Sequence, residues 1–145
     1  MKKEKISIEE YSNILSSIEL TSIVLNECSV KKFETKGKER TVNLDVSMKL
    51  GFGQDNSCVS FLVDYKLEGT RQMQDSKEKV FSIIASFLLT YIKKKDVDVS
   101  KDFVDIFKKN SIELVSWPYF REFVQNTISR MGMPTLTLPS KFFND

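Results

Sequence analysis

Between Val42 and Leu67 the chain alternates apolar and polar residues twice over. Val42, Leu44, Val46, Met48 and Leu50 stand against Thr41, Asn43, Asp45, Ser47 and Lys49; Val59, Phe61, Val63, Tyr65 and Leu67 then stand against Ser60, Asp64, Lys66 and Glu68. A period of two sends successive side chains to opposite faces of an extended strand, so each run reads as a strand with one apolar face. Gly51-Phe52-Gly53-Gln54-Asp55-Asn56 between them supplies turn residues, which joins the runs into a hairpin. The Gly-x-Gly leads into a strand rather than a helix N-terminus, so it reads as a turn and not as a phosphate cradle. A two-stranded hairpin needs more strands and a covering layer to be stable in water.

The rest of the chain offers both. Ser7 with Glu10 resembles a capping box, followed by a short helical stripe of Ile8, Tyr11, Ile14 and Leu15. From Glu19 to Phe33, Ile23, Val24, Leu25 and Val30 suggest a first strand whose blurred alternation implies cover on both faces. Lys36-Gly37-Lys38-Glu39-Arg40 is a polar turn. Between Lys77 and Lys95, Phe81, Ile83, Ala85, Phe87, Leu89 and Tyr91 fit a strand, while Val80, Ile83, Ile84, Phe87, Leu88 and Tyr91 fit a helix. β-Branched and aromatic content, with the hairpin's need of partners, favours a long fourth strand. Ser100 caps a helix with Phe103, Ile106 and Phe107 on its apolar side. Pro118 predicts two helical pieces meeting at Trp117, and Phe120, Phe123, Val124, Thr127, Ile128 and Met131 mark one face of the second. Gly132 and Pro134 end it. The fold class that follows is α+β: a four-stranded antiparallel sheet against a long kinked C-terminal helix, with a short N-terminal helix, all in one domain spanning residues 1–145.

Composition narrows the function classes. A chain of 145 residues buries enough surface to need no staple, and its 41% hydrophobic and 29% charged residues are ordinary for a globular domain. No apolar run is long enough to span a bilayer, and the basic start lacks the apolar core of a secretory signal, so the cytoplasm is expected. Histidine is absent, and Cys28 and Cys58 lack close-spaced partners. Both cysteines are expected to be buried free thiols, with no metal site and no cofactor. No catalytic constellation stands out, so no enzyme is expected. Arg121 and Glu122 are neighbours and splay apart on a helix, which reads as a solvated or interface charge pair rather than an acid–base dyad. A net charge of +2 with interspersed signs carries no nucleic-acid footprint. Asp45, Asp64 and Glu68 share the polar face of the sheet, as solvating carboxylates or as a docking patch for a basic partner.

After Gly132 come Met133, Leu136, Leu138, Phe142 and Phe143, an apolar tail whose prolines rule out a regular helix. Such a tail either covers its own core or helps to form a groove. Ile112, Leu114, Trp117, Pro118, Tyr119, Arg121 and Glu122, then Ser129, Arg130, Gly132, Pro134, Leu136, Leu138 and Phe142, resemble the apolar-aromatic-Pro-Tyr-x-Arg-Glu pattern and later residues of the SecB family of export chaperones.

That resemblance implies an ATP-independent holdase assembled as a dimer of dimers. It would bind unfolded or partly folded polypeptides in grooves lined by the tail, the main helix and part of the sheet. Carried onto this sequence, the client-binding residues are Leu44, Val46, Trp117, Phe120, Met133, Leu136, Leu138, Phe142 and Phe143. Family members usually continue into a second helix and tail that meet the translocation motor SecA, and are strongly acidic. This chain ends at Asn144-Asp145, and its pI is near 8.4. The expectation is therefore a SecB-like chaperone that serves something other than SecA, such as one that protects an antitoxin. The alternative is an adaptor dedicated to one partner.

Overall fold

The structure, a computed structural model, describes residues 6–35, 41–134 and 136–140. In chain order it comprises helix α1 (Ile8–Ser17), strands β1 (Ile18–Lys32), β2 (Asn43–Gln54), β3 (Cys58–Gln72) and β4 (Lys77–Lys93), helix α2 (Lys101–Phe107), a π-helical turn at Lys108–Ile112, and helix α3 (Glu113–Arg130). The strands form one antiparallel sheet in the order β1-β4-β3-β2, so the α+β architecture and the assignment of 77–93 as a strand are as the sequence predicts. The polar turn expected at Lys36 to Arg40 lies outside the described residues.

The alternation of the hairpin decides where the core sits. Val59, Phe61, Val63, Tyr65 and Leu67 of β3 lie opposite Tyr91, Leu89, Phe87, Ala85 and Ile83 of β4, and all ten are buried on the side covered by the helices. From the helix layer Phe103, Phe107, Ile112, Phe120, Val124 and Ile128 meet them, each nearly devoid of exposure. Both helix starts are capped as the sequence indicates: the Glu10 amide donates to Ser7 Oγ at 3.1 Å and the Phe103 amide to Ser100 Oγ at 3.2 Å.

Several local expectations fail for identifiable reasons. Strand β2 runs on through Gly51-Phe52-Gly53 to Gln54, and the turn is confined to the three residues after it. Phe52 stacks across the hairpin on Phe61, at 6.1 Å between ring centroids, so pairing continues where glycine suggested a turn. No second helical piece begins at Trp117: α3 passes unbroken through Pro118, and the irregularity lies earlier, at Lys108–Ile112. Pro118 deprives the Leu114 carbonyl of its usual donor, but Leu114 is 60% exposed and water can serve instead. Strand β1 is an edge strand with little cover, so Val24, Leu25 and Val30 are exposed and Cys28 is an exposed free thiol, not a buried one; Cys58 is half-buried. In α1 only Ile14 of the expected stripe is buried and Tyr11 packs on Phe103, while Ile8 and Leu15 face solvent.

Candidate functional site

The helix layer leaves both edge strands of the sheet with little cover, β2 among them. Leu44, Val46, Met48, Leu50 and Phe52 of β2 point to the helix-covered side, as their register with Gly69, Leu67, Tyr65, Val63 and Phe61 requires. Leu44 and Phe52 are nonetheless 41% and 40% exposed, and the three between them are half-buried. An apolar strip therefore runs along β2 beside the helix.

Its far wall is made by the chain after α3. Gly132 at φ 70° closes the helix, with the Met133 amide donating back to the Ile128 carbonyl at 3.3 Å, and the backbone reverses. Residues 136–140 then run back along α3 as a strap. Trp117 Nε1 donates to the Pro139 carbonyl at 2.8 Å and Arg121 Nε to the Leu138 carbonyl at 2.7 Å, and Leu138 is buried beneath. Trp117 and Arg121 are one turn apart on one flank of α3, whereas Tyr119 on the other flank faces Phe87 of β4. The strap thus lies on the β2 side of the helix.

Under the helix is an aromatic platform. Tyr65 stacks on Phe120 at 4.7 Å and meets Trp117 at 5.6 Å. Its hydroxyl is 2.7 Å from Ser116 Oγ, which donates to the Ile112 carbonyl at 2.7 Å. Burial pushes the Tyr65 hydroxyl up to about 12, so it stays protonated and acts as a hydrogen-bonding group rather than a base. Burial likewise holds the Glu113 carboxyl above its ordinary range, against the pull of Lys108 and Lys109.

The residues expected to bind clients divide accordingly. Leu44 and Val46 line the exposed strip, and Met133 and Leu136 are half-buried at the strap. Trp117, Phe120 and Leu138 are 2%, 0% and 3% exposed, so they build the platform and offer no surface in this arrangement. Phe142 and Phe143 lie outside the described residues. Met48, Leu50 and Phe52 join the strip unforeseen, although the first two belong to the same alternation as Leu44 and Val46. Of the expected solvated or interface charge pair, Arg121 grips the strap, while Glu122 accepts from Asn126 Nδ2 at 2.7 Å. Only its distance in sequence from Leu138 hid that role.

Asp45, Asp64 and Glu68 share the helix-free face of the sheet, where Lys49 and Lys66 stand among them. Asp64 accepts from Ser86 Oγ and lies opposite Lys49 in register, and Glu68 pairs with Lys66 at 3.0 Å, which lowers its carboxyl below the ordinary range. Among the described residues no cluster of Cys, Asp or Glu could hold a metal ion, and no helix is long and apolar enough to cross a membrane.

A four-stranded antiparallel sheet carrying a short N-terminal helix and a long C-terminal helix on one side is the fold of a SecB-like chaperone. Among solved structures, Mycobacterium tuberculosis Rv1957, a SecB-like chaperone in complex with a ChAD peptide from the Rv1956 HigA1 antitoxin, superposes with a TM-score of 0.76. The alignment covers 90% of this chain and 95% of Rv1957 at 16% identity, which makes the likeness one of fold. A protein of unknown function from Streptococcus agalactiae aligns over 84% of this chain with a TM-score of only 0.36 and 13% identity. No protein-family model and no curated protein sequence matches the chain.

Proposed function

We propose that this protein is a cytoplasmic, ATP-independent SecB-like chaperone that holds unfolded or aggregation-prone polypeptide segments in the apolar groove between β2 and the strap, acting by binding rather than by catalysis. The observation that carries this reading is the half-exposed strip Leu44 to Phe52, which one helix leaves uncovered on the side of the sheet where apolar residues belong. Aromatic and methionine side chains suit such a surface, because they offer large area and adaptable shape. The working form in this reading is a homo-oligomer, a dimer of dimers. The helix-free face mixes lysines with carboxylates, which does not favour docking to SecA or a role in export.

A second reading has a specific observation behind it: the SecB-like chaperone of matching fold is bound to a peptide from an antitoxin. In that case this protein protects one dedicated partner, such as an antitoxin, through the same groove. Light scattering with and without a permanently unfolded polypeptide in excess tests the main reading, together with suppression of aggregation of a denatured protein. A multimer that gains client mass and suppresses aggregation near stoichiometric ratio is expected. A particle that ignores every unfolded chain but captures one native partner would move the assignment to the dedicated adaptor.

A further inference from the structure

The strap is fastened firmly at its base and lightly along the rest. At the base the Met131 amide donates to the Thr127 carbonyl at 3.0 Å, the Gly132 amide to the Ser129 carbonyl at 3.1 Å, and Lys32 Nζ of β1 to the Met131 carbonyl at 3.0 Å. Over residues 136–140, by contrast, the described residues form no backbone–backbone hydrogen bond, and Pro139 has no amide to offer. Trp117 Nε1 on the Pro139 carbonyl, Arg121 Nε on the Leu138 carbonyl and the buried side chain of Leu138 hold this stretch. Thr137, Pro139 and Ser140 are exposed. The conformational entropy lost in ordering five residues is similar in size to what one buried leucine and two hydrogen bonds contribute, so the closed and open straps lie close in free energy.

What the strap covers is a surface that an apolar client would use. Trp117 and Phe120 both meet Tyr65, and Tyr65 lies opposite Met48 of β2 in register. The aromatic platform therefore continues the exposed strip, and the strap closes it on the β2 side. The strap also has the form of a client. Leu136, Thr137 and Leu138 are half-buried, exposed and buried in turn, so leucine faces the protein at every second position. Two consecutive carbonyls are gripped by donors one turn apart on α3. The hydrogen bonds read backbone alone, so another extended segment with alternate apolar residues can make the same contacts.

Resting on the holdase reading, we infer that residues 136–140 are a built-in competitor of the client. An extended segment with alternate leucines displaces them, takes the place of Leu138 at the Trp117–Phe120 platform, and accepts from Trp117 Nε1 and Arg121 Nε through its own carbonyls. Gly132, at φ 70°, marks the pivot beyond the anchored base. Only the open form binds in this way, so the observed affinity is the intrinsic one reduced by the fraction of chains whose strap is open. The strap thereby shields the aromatic platform when no client is present and sets a threshold that weakly apolar segments do not pass.

Leu138→Ser tests the inference, because it removes the anchor and leaves both α3 donors and the base in place. The full-length variant is expected to bind a soluble peptide of about eight residues with leucine at every second position on the order of tenfold more tightly than the unaltered chain, read by fluorescence anisotropy of the labelled peptide. Equal or weaker binding would overturn the competitor role. A second measurement uses the unaltered chain and is independent of how the variant folds. Trp117 is the single tryptophan, so its indole N–H gives one resonance. In the free protein that proton should show nuclear Overhauser contacts to Pro139, and at saturating peptide these should give way to contacts with the peptide. Pro139 contacts that persist in the saturated complex would make the strap a fixed wall, overturning the inference while leaving the holdase reading intact. A peptide that binds neither chain overturns both.

Discussion

Gly69 sets the tightest steric condition in the sheet. It lies across from Phe81 in the β3–β4 ladder beside a register shift, and a Cβ there would come within 2.7 Å of Cδ1 and Cζ of the buried Phe81 ring. The ring fills the space that the glycine leaves. Gly69→Ala is therefore expected to destabilise the fold by about 1–3 kcal/mol in urea titration, with Phe81→Leu in the same chain recovering part of the loss. Additive losses would refute the contact. Glu113 carries a second condition, this one on charge. A carboxyl whose folded pKa is raised keeps its proton more tightly folded than unfolded, so stability falls as pH rises from the ordinary carboxylate range through the raised value. Removing the charge with Glu113→Gln should raise the urea midpoint at pH 7 and leave it unaltered at pH 3, where both side chains are neutral. An unchanged midpoint at neutral pH would show that Lys108 and Lys109 already offset the burial. Neither condition could be read from the sequence, because each depends on a partner that only the folded chain brings near. Arg121 on the Leu138 carbonyl is a third instance of the same kind.

At the scale of elements, the helical stripe tells more than proline does. Phe103 and Phe107 are four apart, and Ile112, Ser116, Phe120, Val124 and Ile128 continue at intervals of four, but Phe107 and Ile112 are separated by five. Five residues is the repeat of a π turn, and the Glu113 amide accordingly donates to the Lys108 carbonyl. The inserted residue keeps both halves of the stripe facing the sheet. Deleting Asn110 should therefore be tolerated, since a four-residue step in regular α-helix also keeps Ile112 inward, whereas inserting one alanine after Gln125 makes the step from Val124 to Ile128 five with no π turn to absorb it and turns Ile128 out of the core. Thermal unfolding should separate the two, and equal loss from both would rule out this account of the π turn. The five-residue step was legible in the sequence, but Pro118 drew the expected break to the wrong place. Strand β1 shows the opposite case. Its blurred alternation came from the register shifts after Leu20 and Leu25, each of which reverses the phase, and not from cover on both faces.

For the whole molecule, more than one apolar surface remains without cover, and the proposed function needs only the strip beside β2. On the groove side stand Leu44 and Phe52, 41% and 40% exposed; on the helix-free face stand Ile84 and Ile92, 37% and 38% exposed. Exposure is matched, so the comparison turns chiefly on position. The hairpin alternation foretold that β2 would have an apolar side, and the aromatic-Pro-Tyr pattern pointed to the fold. How far the helix layer reaches over that side depends on the diameter of one helix against the width of four strands, which no local pattern encodes. Replacing Leu44 and Phe52 together by serine should therefore abolish suppression of aggregation while lowering the unfolding temperature by less than about 8 °C, because little buried area is lost. The same change at Ile84 and Ile92 should leave suppression intact. If the second pair abolished it and the first did not, clients would be bound on the helix-free face, and the strip beside β2 would be a surface between copies of the chain.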